Sequence, residues 1–275
     1  MISNVFSWLN DPTHWRDTSV FTGIASQILN HLRYSLIALV IALVIALPLG
    51  LAIGHTGRAS WVVGGINAVR AIPAVGLIVL LGVLIAPHFH GRTDLGYLIP
   101  AEIVLVVIAI PAILANTYAG VDNVDPAVRD AARGMGMTGS QVLFRVELPC
   151  SLPLIFSGIR SATLQVIATA TVASYLPLLG GLGRFIYDGF HQQDYPQMIS
   201  GGVLVAVLAV LADLILALVQ RFAVSRGISG RYSRKGFDQR VAALLAEPPE
   251  AGCVHCLVML DIDHFKQVND GHGHV

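Results

Sequence analysis

The chain has 275 residues, 55% hydrophobic and only 12% charged, with 17 basic and 17 acidic side chains and a mean hydropathy of +0.69. Soluble domains carry charge on about a quarter of their residues, so this surface is built to face lipid. A formal net charge of zero argues against a partner held by neutralising phosphates, which excludes nucleic acid. Cys150, Cys253 and Cys256 are too few and too scattered for a disulfide scaffold. Cys253-Val-His-Cys256 has CxxC spacing but no second ligand pair, and structural zinc needs about four ligands; no metal is expected.

Residues 1–32 are mixed in polarity, carry Trp8, Trp15 and Phe21, and lack the basic start and short apolar core of a secretory signal. They read as an interfacial lead-in. A crossing needs about 20 mostly apolar residues, and five stretches qualify within 33–225: Leu36 to Ile53, Val62 to Ala86, Leu98 to Tyr118 interrupted by Pro100 and Pro111, Leu154 to Tyr175, and Met198 to Val219. The expected fold is all-α, a polytopic membrane bundle. Positive charge sets its orientation. With the first span running inward, the inner segments hold Arg58, Arg129, Arg133, Arg145, Arg221, Arg226, Arg231, Arg234 and Lys235. The outer segments between spans hold only Arg92 and Arg184. Arg16 and Arg33 oppose the bias.

Inside the spans, polar residues are few. Ser161, Thr163, Gln165, Thr169, Thr171 and Ser174 form a stripe on the fourth span, suited to close helix packing and internal hydrogen bonding or to lining a pathway. Asp213 is the acid deepest in the fifth span, expected to bond a neighbouring helix. Glu102 is expected to reach water from the outer end of the third span. Arg70 is expected to snorkel toward the membrane surface, and Arg160 to do the same or to pack against protein on the cytoplasmic side.

The polar island at 120–152 interrupts this pattern. Asp125-Pro126 is a helix start, an N-cap followed by proline at the first helical position. The helix would run to Arg133 and end at Gly134 or Gly136. Thr138 and Gln141 have capping-box spacing and open a second helix toward Glu147, which Pro149 would stop. Ala131 and Ala132 offer a small, flat surface, and Met135 and Met137 are adaptable apolar knobs. A connector of about 30 residues is longer than joining two helices requires.

Within the island, Asp130-Ala131-Ala132, three residues, Gly136, nine residues and Val146-Glu-Leu148-Pro149 resemble the EAA loop of permease subunits of bacterial ATP-binding-cassette importers. Asp130 stands where that family usually has Glu, and Val146 where it often has Ile. The resemblance implies that Asp130, Ala131, Ala132, Gly136, Val146, Leu148 and Pro149 dock an ATPase. It also implies that the chain catalyses nothing and binds no cofactor, with ATP and Mg on the partner. Further implied partners are an extracytoplasmic binding protein, a second permease (itself or a paralogue) and the lipid bilayer, with the loop and C-terminus cytoplasmic in a bacterial cell membrane. Ser161, Gln165, Thr169 and Asp213 are the candidates for pathway or packing roles.

The run RGMGMTGSQVLFRVELPCSLPLIFSGIRSATLQVIATATVASY and the following GGLGRFIYDGF resemble permeases for quaternary-ammonium osmoprotectants: glycine betaine, carnitine and choline. Tyr175-Leu-Pro-Leu-Leu179 is bulkier than the glycine-rich turn usual there. Permeases for methionine, phosphonate or taurine share the loop pattern and are the alternative. A secondary transporter would want internal repeats and charged residues at the midplane, of which only Asp213 is present. Quaternary ammonium recognition favours an aromatic cage, and no aromatic cluster lies within the spans, so selectivity is expected from the binding protein. After a polar linker at 226–250, residues 251–275 include LVMLDIDHFKQVNDGHGHV, which resembles the opening of a diguanylate cyclase (GGDEF) domain. In that family the residues matching Asp261 and Asn269 bind metal and guanine. A strand and one helix cannot bury a core, so an inactive, loosely ordered tail is expected.

Overall fold

The structure, a computed structural model, describes residues 2–18, 22–89, 95–176 and 179–224. Phe21, Arg92, Arg226, Arg231, Arg234, Lys235, Cys253, Cys256, the polar linker and the cyclase-like segment lie outside them. Among the described residues every regular element is helical. α1 (Ile2–Asn10) and a 3-10 turn (Pro12–Trp15) precede α2 (Ile24–Thr56); α3 (Trp61–Ala68), α4 (Ala74–Ile85) and α5 (Leu95–Asp122) follow. Next come α6 (Pro126–Gly134), α7 (Gly139–Val142), a π-helical turn (Leu143–Glu147), α8 (Leu148–Ala173), α9 (Gly183–His191) and α10 (Tyr195–Val224). Among the described residues four helices are long and apolar enough to cross a membrane, or five if one bent pair counts as a span. The all-α membrane bundle expected from composition is what the chain forms.

The first span differs from expectation at its start. α2 begins at Ile24, so residues 24–32, assigned above to the lead-in, are the first turns of the span. The cause is a cap from outside the helix: Gly23 N–H donates to Asp17 Oδ1 at 2.7 Å and Ser26 Oγ to Asp17 Oδ2 at 2.6 Å. The Ser26 bond, then the Gly23 bond, hold the Asp17 carboxyl below the usual carboxylate range. This cap is complete at neutral pH and is lost only as pH falls through that lowered value. The nine residues of α1 are too few to cross.

The second span is not straight. Ile72, the residue before Pro73, is extended at ψ 125°, as the proline ring demands of its predecessor. The helical segments on either side, Ser60–Ala71 and Ala74–His88, meet at 85°. In α5, by contrast, the helix runs unbroken through Pro100 and Pro111. Pro149 corrects another expectation: it stops nothing. The helix opened at Thr138 passes through the π turn into α8, with Pro149 in its first turn. In the π turn Leu148 N–H donates to the Leu143 carbonyl, five residues back. That wider turn lies immediately before the residue that has no N–H to give.

α5 is the most buried span and packs between α2 and α8. α2 turns Ala38, Ala42, Ala46, Gly50 and Gly54 inward, a small residue every fourth position, which lets backbones approach closely. A Cβ on Gly54 would lie 2.7 Å from Val121 Cβ, and one on Gly158 of α8 would lie 2.7 Å from Asn116 Cβ. Only small residues fit these two seams. The internal hydrogen bonding expected of the α8 hydroxyls takes place within the helix. Thr163, Thr169, Thr171 and Ser174 each donate to the carbonyl four residues back, at 2.8 to 3.1 Å.

Asp213 bonds its neighbour as expected, but Arg160 does not snorkel. Arg160 Nε and Nη2 donate to the two Asp213 carboxylate oxygens, each at 2.8 Å, and Nη1 reaches Gln220 Oε1 at 3.3 Å. Gln220 Nε2 then donates to the Pro153 carbonyl at 3.2 Å. A two-pronged carboxylate meets the guanidinium fork, so the two charges neutralise each other at a part-exposed seam and pin α10 to α8.

Candidate functional site

The island forms an elbow at one end of the bundle. Asp125 caps α6 by accepting from Ala127 N–H at 2.8 Å. The helix ends in a Schellman motif: Met137 N–H donates to the Ala132 carbonyl and Gly136 N–H to the Arg133 carbonyl. Gly136 occupies the left-handed position at φ +83°, which favours glycine because it has no Cβ. Of the two glycines considered from sequence, Gly136 is the joint. Thr138 then opens α7 with the expected capping box, its N–H donating to Gln141 Oε1 at 2.8 Å.

A buried carboxylate ties this elbow to the spans. Glu147, fully buried in the π turn, lies 3.0 Å from Arg129 Nε and 2.6 Å from His55 Nδ1. Arg129 sits one turn into α6 and also donates through Nη2 to the Val121 carbonyl near the end of α5. His55 is in the last turn of α2. One carboxylate thus joins the C-terminal end of α2, the elbow helix α6 and the root of α8. Sequence reading treated Glu147 only as a helix terminus. A signal for it was present: it is the single acid between Asp130 and Asp188. Nothing in the sequence pointed to His55, which reaches Glu147 from 92 positions away.

The predicted elbow residues separate into two groups. Asp130 and Ala131 are exposed, and Asp130 makes only a loose 3.6 Å pair with Arg133. Ala132 is buried at 2% exposure, so it cannot share the flat surface assigned to it with Ala131; it packs the elbow against its own support. Gly136 is exposed, and Val146, Leu148 and Pro149 are half-buried. Val128, Met135 and Phe144 add exposed apolar side chains, of which only Met135 was singled out from sequence; Met137 is half-buried. Such an elbow presents exposed apolar side chains among charged ones, Asp130, Arg133 and Arg145, on a mount tied to the spans.

The pathway candidates lie elsewhere. Ser161 is exposed and Gln165 and Thr169 half-buried on α8, sharing a face with exposed Ser157 and Ala168; Asp213 is committed to Arg160. Glu102 is not where sequence placed it. Both carboxylate oxygens are buried with no hydrogen-bond partner, in a closed cavity with Tyr34, Ala101, Ser174 and Leu179. The GGLG segment is built into α2 and α8. Gly181 N–H donates to Gln27 Oε1, and Leu182 N–H to His31 Nδ1 at 3.3 Å. His31 Nε2 therefore carries the ring proton and gives it to the Ile167 carbonyl at 3.1 Å.

Comparison with known proteins agrees with this architecture. Residues 45–225 match the family model described as the inner membrane component of binding-protein-dependent transport systems. The glycine betaine/carnitine/choline transport system permease protein of Bacillus subtilis (strain 168) is 34% identical over 73% of this chain and 88% of its own length. A carnitine transport permease protein of Listeria monocytogenes is 32% identical over 76% of this chain and 91% of its own. The fold is similar to that of a chain of the MetNI methionine ABC transporter in an inward-facing conformation. The TM-score is 0.60 at 22% identity, covering 73% of this chain and 95% of that one. The chain belongs to the inner membrane component family of binding-protein-dependent transport systems, as a multi-pass permease subunit of ABC importers.

Proposed function

We propose that this permease carries quaternary-ammonium osmoprotectants, of the glycine betaine, carnitine and choline class, into a bacterial cell, driven by a separate ATPase seated on the elbow. The observation that carries the solute class is the 34% identity, over most of both chains, to a permease whose name specifies those three solutes. For the drive, the supporting observation is the Glu147 ion cluster. An ATPase moving Ala131, Met135 and Phe144 would move α6 and α7 as one body. Arg129, Glu147 and His55 would pass that displacement to α2, α5 and α8 without slack. The positive-inside bias of the sequence supports a cytoplasmic elbow.

The α8 face bearing Ser157, Ser161, Gln165 and Ala168 sets these small and polar side chains beside exposed Leu154 and Leu164, unlike the uniformly apolar outer face of α10, where Val207, Val210, Leu211, Leu214, Ile215 and Leu218 are exposed. Hydrocarbon suits the second face, not the first. The α8 face is therefore assigned to the pathway, closed by a second permease. Labelled glycine betaine supplied to an osmotically stressed deletion strain tests the reading. Restoring the chain with its partner subunits will restore uptake; restored methionine uptake without betaine, carnitine or choline uptake would assign another solute.

A further inference from the structure

The end of the bundle away from the elbow carries groups that coupling does not use. Tyr175, just past α8, and Tyr187 on α9 have ring centroids 5.2 Å apart; the His191 ring lies 4.1 Å from that of Tyr187, and Phe190 5.6 Å from His191. The sequence showed no aromatic cluster because these rings come from a turn and a short helix between spans, and folding brings them together. The Arg184 guanidinium already sits 5.4 Å from the Tyr187 centroid, held also by Asp188 Oδ2 at 3.0 Å from Nε. Tyr175 is 38% exposed and Phe190 67% exposed, so the cluster can be reached. Immediately behind it, Ser174 lines the closed cavity that holds the unpartnered carboxylate of Glu102 and Tyr34. That cavity is about 10 Å³, room for roughly one water.

These groups share one chemical preference. Aromatic faces attract cations, the buried Glu102 carboxylate has no hydrogen-bond partner and feels the charge of Arg33 only at a distance, and a cation already rests on one of the rings. A quaternary ammonium has no N–H to donate, so ring faces and a nearby negative charge are the contacts open to it. We infer that Tyr175, Tyr187 and His191 form a receiving site for the quaternary ammonium headgroup of the arriving solute, with Arg184 occupying the Tyr187 face when the site is empty. This rests on the osmoprotectant reading above. When solute arrives, Arg184 leaves the ring face while keeping its Asp188 bond. The other role for aromatics at a membrane edge is an interfacial belt, which uses the apolar body of the ring and not the charge distribution of its face.

The two roles separate on substitution. In cells expressing the whole importer, Tyr187→Leu will lower the maximal uptake rate of labelled choline about tenfold, the scale of one desolvated cation–π contact. Tyr187→Phe, which keeps the face, will stay within about twofold of the parent. Membrane levels and co-purification of the ATPase are measured alongside; should Tyr187→Leu fail to reach the membrane, Tyr175→Leu and Tyr175→Phe supply the same comparison. If leucine and phenylalanine behave alike at equal membrane levels, the receiving site is overturned. A parent protein that imports no quaternary ammonium solute would instead defeat the osmoprotectant reading, and the inference with it.

Discussion

Glu147→Ala will release the elbow while leaving the spans inserted. The substitution leaves the Arg129 guanidinium, 18% exposed, without its carboxylate, and deprives His55 of its 2.6 Å partner. Removing one member of a buried ion pair costs about 3–5 kcal/mol because the other charge stays uncompensated. Most of that falls on the contacts joining α6 to the π turn, so the elbow will become a protease-sensitive segment and uptake will fall to background. Arg129→Leu in the same chain will recover part of the loss, since the orphan charge is then gone. Limited proteolysis of membranes carrying the single and double variants, read beside uptake, checks this. Full uptake with Glu147→Ala would show that force reaches the spans by another route.

Gly183→Ala will be the most damaging glycine-to-alanine change among the described residues. Its Cβ would fall well inside contact distance of the Thr171 carbonyl oxygen and 2.7 Å from the carbonyl carbon. Both obstacles are backbone, and neither can rotate aside. Overfilling a packed interior costs about 1–3 kcal/mol when side chains can adjust, and here α9 must lift from α8. That movement pulls Leu182 N–H from His31 and Gly181 N–H from Gln27. Thermal unfolding of the purified permease will show a loss at or above the upper end of that range. Gly202→Ala on α10 is the control: nothing lies within 4 Å of its Cβ, and helix propensity favours alanine by up to about 1 kcal/mol.

Local chemistry accounts for what the sequence revealed in advance. Asp125-Pro126, Gly136 and the Thr138–Gln141 pair each act through bonds spanning a few residues, and each formed as expected. Hydropathy located the spans because a helix that long and apolar has no other stable environment. What stayed hidden depends on partners distant in sequence. Arg160 was expected at the surface because only the fold brings Asp213 within 2.8 Å of it. Glu102 was expected in water because nothing local shows that the turn after α8 closes over it. The bend at Pro73 and the continuity at Pro149 show proline acting in opposite ways. Before Pro149 the turn widens to five residues, over Leu143–Glu147, whereas before Pro73 the helix breaks at Ile72.

The elbow joins two observations that were independent in the sequence, a charge bias that orients the chain and a motif that needs a cytoplasmic partner. Ala131 is exposed on the elbow and is the place to test both together. With Cys150, Cys253 and Cys256 replaced by serine, Ala131→Cys is treated with a membrane-impermeant thiol reagent in intact cells and in inside-out vesicles, with and without the ATPase. Labelling only in the vesicles, and blocked there by bound ATPase, is the predicted result. Labelling from outside intact cells, or equal labelling of vesicles with the ATPase present, would contradict it.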